Sequence, residues 1–211
     1  MYIPKFFASD DDALARRIVA DHAFGLLMTL PGEPGANADI SHLPMLWLDD
    51  GGPNGRIIAH VARANSHGGR FDGKSPSVAV FSGPHAYVSP NYYAHDGLVP
   101  TWNYAAVHLH GKPRAVEDEA GAVAILDALV STFESDRTGN WSTADLPDGM
   151  LPKQIKGIVA FEMPVERIEL KVKMSQNRQP DDIKGVIQAL GDSESEADRA
   201  TARMMADLSG G

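Results

Sequence analysis

The side chains best suited to chemistry in this sequence lie in two short stretches that are far apart along the chain. One runs from Val99 to Gly111 and includes Trp102, Asn103 and Tyr104, and the other runs from Lys171 to Arg178. Together they supply aromatic rings, amides and fixed positive charges. These groups suit a flat, phosphorylated, redox-active ring, because the ring needs an aromatic wall and the phosphate needs cationic and amide donors. The two stretches therefore predict a site for such a ligand.

The composition limits the classes of function open to the chain. Its 211 residues include 19 basic and 28 acidic side chains, which gives a formal net charge of −9. Such a surface repels a nucleic-acid backbone, so DNA binding is not the favoured interpretation. The chain has no cysteine, which excludes disulfides and thiolate chemistry. We find no signal peptide and no apolar run of the ~20 residues that a bilayer requires, so we expect a cytoplasmic protein outside the membrane.

The hydrophobic pattern predicts many strands and a few flanking helices. Strands are expected over 24–30, 40–48, 56–65, 77–82, 85–89, 102–116 and 157–174, and helices over 10–22, 118–133, 181–190 and 194–208. We expect Ser9 to cap the first helix, a tight turn at Gly83–Pro84, and a break, edge or bulge at Pro164. Turns rich in Gly and Pro, without long helices between the strands, favour an antiparallel barrel over a parallel sheet. The sequence predicts one domain over 1–190, with 191–211 as its C-terminal helical extension.

Five motifs in a fixed order give the chain a family resemblance. They are Met1–Pro4 with Phe6; His60–Asn65; Val88–Pro90 with Tyr92 and Tyr93; Val99–Tyr104; and Lys173–Arg178. By these motifs the chain resembles the PaiB-type FMN-binding proteins, which are described as negative transcriptional regulators. That family lies in the flavin-binding split-barrel group related to pyridoxamine-phosphate oxidases. The resemblance extends to about Leu190.

The resemblance implies a mainly β fold, a six-stranded antiparallel split β-barrel with packing helices, paired as a homodimer with FMN at the subunit interface. An FMN-dependent oxidoreductase activity goes with the cofactor, and a repressor role through DNA or a partner goes with the family's name. Haem is an alternative cofactor for which His60, His85 and His95 are candidate ligands, but no motif selects it. The catalytic residue stays open, since neither spacing nor neighbours identify His60 or Tyr104 as a general base.

The expected cofactor-binding residues follow from the same motifs. They are His60, Ala62, Arg63, Asn65, Trp102, Asn103, Tyr104, Lys173, Ser175 and Gln176. A flavin phosphate is a dianion that needs guanidinium, ammonium, hydroxyl or amide donors. Suitable donors are Arg63, Asn65, Lys173, Ser175 and Gln176. Trp102 and Tyr104 share one face of an extended strand and are the candidates for the wall against the ring.

Each of these residues also has a purely structural interpretation. Arg63 and Lys173 are equally suited to solvated strand ends, and large rings are common in any core or interface. The segment Ser175–Arg178 also fits a strand-ending turn whose side chains bind backbone groups. The spacing of His108 and His110 would suit a metal ion, but no carboxylate lies at a recognisable ligand spacing, so we expect no metal site.

Overall fold

The computed structural model describes residues 1–33 and 35–210, so Pro34 and the last residue of the expected C-terminal extension lie outside the described residues. The strands are β1 (Ala8–Ser9), β2 (Phe24–Thr29), β3 (Asp39–Pro44), β4 (Leu46–Leu48), β5 (Arg56–Ala62), β6 (Ser77–Val88), β7 (Thr101–Gly111), β8 (Arg114–Ala115) and β9 (Ile158–Lys173). The helices are α1 (Asp12–Asp21), α2 (Glu119–Phe133), α3 (Leu151–Lys156), α4 (Pro180–Gly191) and α5 (Glu196–Ser209). None of the helices in the described ranges has the length and apolarity that crossing a membrane requires.

Hydrogen bonds order the strands as β3-β2-β6-β7-β9-β5-β4, and β1 and β8 also pair with β9. The pairings of β2 with β3 and β6, and of β5 with β4 and β9, are antiparallel. This mainly antiparallel architecture with packing helices confirms the predicted fold class. Three of the strands, β1, β4 and β8, have only two or three residues each. The nine strands of the described residues therefore differ in number from the six that were expected, although six of them are longer.

The chain divides into two compact units. The first unit consists of Met1–His22, Ser82–Val107 and the segment from Glu169 to the last described residue, Gly210. The second unit consists of Ala23–Phe81 and His108–Ile168. The strands β6, β7 and β9 contribute one part of their length to each unit.

The first unit contains α1, α4 and α5. Helix α1 buries Leu14 and Ile18, and its cap is Asp11 rather than the expected Ser9, because the Asp11 carboxylate accepts a hydrogen bond from the Leu14 amide at 2.9 Å. Helices α4 and α5 pack against each other and bury apolar side chains such as Val186 and Met205. This packing fixes the start of α4, which follows the motif that ends at Arg178.

The second unit is built around β5 and β9, whose register pairs His60 with Ala160. Helix α2 covers this pair of strands, where Ile125 and Leu129 pack into a buried cluster with Ile58 and Ala160. Helix α3, which the sequence did not predict, joins the loop after α2 to the start of β9. Helix α2 therefore covers one face of β5, and the polar residues that follow the strand begin at the end of this covered region.

Two expected interruptions do not break the strands. Strand β6 is continuous through Gly83–Pro84, and an added Cβ at Gly83 would lie 3.2 Å from side-chain atoms of both Ala105 and Ile18. The glycine therefore serves close packing rather than a turn. Strand β9 continues past Pro164, which pairs with Arg56 at the end of the ladder with β5, where a missing amide donor does little harm.

Candidate functional site

Lys171, near the end of β9, is a buried cation of the first unit, only 7% exposed. Its ammonium group donates a hydrogen bond to the carbonyl oxygen of Tyr2 at 3.0 Å. The same group lies 4.9 Å from the centre of the Tyr104 ring, a distance at which a cation is attracted by an aromatic face. A carbonyl oxygen and an aromatic ring thus surround the buried ammonium group.

Lys173 lies two residues further along the same strand. Its ammonium group donates to the hydroxyl of Thr101 and to the carbonyl oxygen of Trp102, the latter at 2.6 Å. The pKa of Lys173 is lowered, because the group is partly buried and because the positive charges of Lys171 and Arg178 are near. We call Lys171, Lys173 and Arg178 the cationic cluster.

No member of the cationic cluster forms an ion pair within the part of the chain that the structure describes. In a protein with a net charge of −9, three neighbouring cations without a carboxylate partner are unusual. Their mutual repulsion is relieved most directly by an anion that binds there. The first unit therefore contains a place suited to a phosphate or carboxylate group.

Trp102, whose backbone carbonyl accepts from Lys173, presents an exposed aromatic ring. Its side chain is 55% exposed, and its ring centre lies 5.9 Å from that of Tyr87 and 6.5 Å from that of His85. Asn103 points to the opposite face and is fully buried, where its amide donates to the Ser175 hydroxyl at 3.0 Å. Of the residues at 102 and 103, the first can touch a bound ring and the second holds the strand in place.

Ser175 and Gln176 shape the turn that follows β9. Ser175 has a φ of 65°, a conformation that costs a residue with a side chain and is retained where the fold requires it. The Gln176 amide oxygen accepts from the Met174 amide at 2.7 Å, and its nitrogen donates to the Val172 carbonyl at 2.6 Å. Both side chains thus bind the protein itself in this structure and fix the position of Lys173.

Arg63 and Asn65 follow β5 in the second unit. The Arg63 guanidinium donates from Nε to the Lys156 carbonyl and from Nη2 to the Ile158 carbonyl, both at 2.6 Å. Its Nη1 has no hydrogen bond to any described residue. The Asn65 side-chain oxygen accepts from the amide of His67 at 3.0 Å. Backbone and side chains together therefore hold this segment in one conformation.

A cleft of about 640 Å³ opens beside this segment, within the size range of small-molecule sites. The residues Asn65, Ser66, Gly68 and Gly69 form one wall, and Ala115, Val116, Ala122, Ile155, Ile158, Val159 and Ala160 contribute apolar surface. Charges of both signs line the cleft, with Arg63 and Lys156 positive and Glu117, Asp118 and Glu119 negative. The cleft can therefore hold a ligand that has an apolar body and polar ends.

His60 and Ala62 belong to the same face of β5. Ala62 is exposed at the end of the strand, and His60 shares its side of the sheet with its partner Ala160, which lines the cleft. The Nδ1 atom of His60 is buried and has no hydrogen-bond partner among the described residues, and burial lowers its pKa. A neutral imidazole with an unused nitrogen is a group that a ligand or an ordered water can satisfy.

A buried histidine that the sequence did not identify supports Asn65. His67 is 1% exposed, with Nε2 at 2.8 Å from the Thr29 hydroxyl and Nδ1 at 2.9 Å from the Ser41 hydroxyl. The Ser41 hydroxyl also accepts from the Asn65 amide at 3.1 Å. The only signal in the sequence is the polar run that begins at Asn65, and this run does not reveal which of its members is buried.

The ten expected residues thus fall into two groups. The structure brings together Trp102, Asn103, Tyr104, Lys173, Ser175 and Gln176 in the first unit, and His60, Ala62, Arg63 and Asn65 in the second. The chemistry of these groups fits a flavin nucleotide. Within the first unit, cations without a carboxylate partner among the described residues suit its phosphate, and the exposed indole of Trp102 suits its ring.

Comparison with known proteins agrees with this chemistry. A family model described as "Putative FMN-binding domain" matches residues 1–167. The chain is 33% identical over 208 residues to the "Protease synthase and sporulation protein PAI 2" of Bacillus subtilis (strain 168), covering 98% of this chain and 97% of that protein. The family match ends before the cationic cluster, whereas the Bacillus relative aligns along almost the whole chain.

Solved structures show the same fold at low sequence identity. The flavocytochrome Anf3 from Azotobacter vinelandii superimposes with a TM-score of 0.61 at 16% identity, covering 94% of this chain and 78% of that one. A FAD and heme binding protein from Mycobacterium smegmatis gives 0.60 at 14% identity, covering 85% and 79%. These structures confirm the predicted split-barrel fold. The family match confirms the predicted cofactor FMN, and the chain belongs to the FMN-binding domain family.

Proposed function

We propose that this protein is a homodimeric FMN flavoprotein with oxidoreductase chemistry. The observation that carries the proposal is the pair of lysines at 171 and 173, which have no carboxylate partner among the described residues and lie beside Trp102 and Tyr104. Bound FMN supplies electron or hydride transfer, and the chain supplies binding and orientation. No residue in the described ranges is assigned to proton transfer.

Lys173 is the direct donor to the FMN phosphate in this proposal. An ammonium group has three N–H bonds, and two of those of Lys173 are directed at Thr101 and Trp102, which leaves one for a ligand. Lys171 is too buried to reach a ligand easily and adds positive potential instead. The indole of Trp102 and the ring of Tyr104 provide the flat surface for the isoalloxazine.

Arg63 and Asn65 remain proposed as cofactor-binding residues on the strength of the His60–Asn65 motif. Arg63 retains Nη1 for a ligand, although its other nitrogens bind the backbone. The acidic side chains that share the cleft weaken its attraction for a dianion. We therefore assign the larger share of phosphate binding to Lys173 and test Arg63 separately.

A comparison of FMN with riboflavin tests the phosphate contact, because riboflavin lacks only that group. We expect the parent to quench FMN fluorescence on titration, and Lys173→Gln to weaken FMN binding by about tenfold while riboflavin binding stays the same. Arg63→Gln should weaken FMN binding by a smaller factor. The control is Lys184→Gln, which removes an exposed lysine of the first unit paired with Asp181.

The proposal is wrong if the purified parent binds neither flavin. It is wrong about the phosphate site if Lys173→Gln weakens FMN and riboflavin equally, since the lost group would then act on the ring or on folding. Circular dichroism melting of each variant separates folding defects from binding defects.

The homodimer and the redox activity need their own measurements. Exposed rings such as Tyr2, Phe6 and Trp102 support the burial of part of the surface by a second copy. Light scattering should give twice the chain mass of 22.7 kDa. Bleaching of the flavin absorbance by NADH or NADPH under anaerobic conditions would show the redox activity. A monomer, or a flavin that neither donor reduces, would contradict the corresponding part.

A further inference from the structure

Tyr93 ends in a polar atom that the fold does not use. Its phenolic oxygen is buried and has no hydrogen-bond partner among the described residues. The residue follows the short 3₁₀ turn Pro90–Tyr92, and its amide donates to the Pro90 carbonyl at 3.2 Å, so its backbone is fixed. Buried hydroxyl groups in proteins nearly always bind something, because an unmet hydrogen bond is costly. The Tyr93 hydroxyl is therefore available to a ligand or an ordered water.

Arg178 lies against the same side chain. Its guanidinium carbon is 5.4 Å from the centre of the Tyr93 ring, and its backbone amide donates to the Ser175 carbonyl at 2.9 Å. It is half-buried and has no ion pair within the described residues. A guanidinium stacked on a ring keeps the N–H bonds of its edge free for a planar anion.

The neighbouring carboxylate on α4 does not neutralise Arg178. Asp182 is 2% exposed, and one of its oxygens accepts from the amides of Ala94 and His95 and lies 3.0 Å from the His95 ring nitrogen. Burial opposes its ionisation, but these hydrogen bonds, chiefly that of His95, hold the pKa of Asp182 below its usual value. Its charge is thus satisfied locally, and its bonds fasten the segment after Tyr93 to α4.

We infer that Arg178 and Tyr93 form a subsite for the carboxylate group of a small-molecule ligand, which is the substrate if the proposed flavoenzyme function holds. The guanidinium can only donate hydrogen bonds, and the phenolic hydroxyl has one O–H to donate. The oxygens of a carboxylate can accept from both. A planar carboxylate suits the fork of an arginine, whereas the compact ammonium of Lys173 acts as a point charge and suits a phosphate. The inference thus gives the proposed flavoprotein a substrate class.

Benzoate is a suitable probe, because benzamide has the same shape without the charge. We would titrate the FMN-saturated full-length protein with benzoate, benzamide and inorganic phosphate by calorimetry. We expect benzoate to bind, benzamide not to bind, and phosphate to bind more weakly than benzoate. Arg178→Gln should weaken benzoate binding by about tenfold and Tyr93→Phe by a smaller factor.

The control variant is Arg17→Gln, which removes an exposed arginine of the same unit whose carboxylate neighbour, Asp207, is 3.9 Å away. It should bind benzoate like the parent. Arg178→Lys, which keeps the charge and loses the fork, should bind less well than the parent and better than Arg178→Gln. Melting temperatures of all variants show that each one is folded, and Tyr93→Phe keeps the ring on which Arg178 stacks.

The inference is overturned if the parent does not bind benzoate, if benzamide binds equally well, or if Arg178→Gln binds benzoate like the parent. It is also overturned if Arg178→Gln loses FMN and benzoate to the same extent, because Arg178 would then belong to the phosphate site. Failure of the proposed function looks different. In that case the parent would not bind FMN, while benzoate binding to the flavin-free chain would still depend on Arg178.

Discussion

Buried histidines link the stability of this protein to pH. His67 makes two hydrogen bonds through its ring, and its pKa is lowered chiefly by burial, with the charge of Arg70 acting in the same direction and that of Asp39 opposing it. His60 is shifted in the same direction by burial alone. Both rings are therefore neutral in the folded state at a pH where the unfolded chain begins to protonate them.

We expect the free energy of unfolding to decrease as the pH falls below about 6.5, the ordinary histidine pKa. The unfolded chain then binds protons that the folded chain excludes, so protonation favours unfolding. Urea titrations at pH 7.5 and 5.5 measure the difference. His67→Gln should be less stable at pH 7.5 but should lose less on acidification.

The control for this experiment is His42→Gln, since His42 is exposed. It should keep the parent's dependence on pH. If His67→Gln and the parent lose the same stability between the two pH values, His67 is not the source of the effect.

Among single residues, sequence reasoning recognised chemical type but not environment. The sequence predicts that Trp102 binds the flavin ring and that Lys173 binds the phosphate. In the structure the Trp102 side chain is exposed, and Lys173 has no carboxylate partner among the described residues. Lys171, Tyr93 and Arg178 were not selected as binding residues. Among the described residues, Lys171 and Arg178 have no carboxylate partner and the Tyr93 hydroxyl has no hydrogen-bond partner. Such absences depend on neighbours in space, which the sequence does not display.

At the level of elements, helix α4 is tied to the segment before β7 by a close backbone approach. A Cβ added at Gly185, in the middle of α4, would overlap the carbonyl oxygen of Tyr92. Together with the bonds of Asp182, this contact fixes the segment that carries Tyr93. The glycine is thus required by its surroundings, although glycine lowers helix stability in general.

Gly185→Ala should therefore destabilise the protein by about 2 kcal/mol, because overpacking outweighs the better helix propensity of alanine. Gly191→Ala is the matched control at the end of the same helix, where an added Cβ meets no atom within 4 Å. It should be neutral or stabilising by about 0.5 kcal/mol. Thermal melting of both variants measures the difference, and equal effects would refute the close contact.

Helices with a regular spacing of apolar residues could be predicted from the sequence. Whether Gly and Pro residues interrupt a strand could not. The predicted helix over 181–190 corresponds to α4, and the antiparallel pairing followed from the turns. The sequence placed a turn at Gly83–Pro84 because both residues break regular structure. In the fold the side chains of Ala105 and Ile18 pack closely against Gly83, and β6 continues through both residues without a break. Tertiary packing therefore overrode the local signal.

At the level of the whole molecule, net charge argues against direct contact with DNA. The excess of nine negative charges repels a polyanion, and the cationic cluster is small by comparison. We expect no gel shift with double-stranded DNA at about 0.15 M salt, with or without FMN. A sequence-selective shift that survives this salt concentration would instead support the repressor role. A basic protein of similar size is the positive control for the assay.

The first unit is assembled from three separated segments of the chain. The cationic cluster and a ring that contacts it come from different segments. Lys171 lies in the third segment and Tyr2 lies in the first. During synthesis on a ribosome, the first segment emerges long before the third. The contact between Tyr2 and Lys171 can therefore form only after the third segment has been synthesised. We therefore expect cofactor binding to follow the emergence of the third segment, after the whole of the second unit has been synthesised.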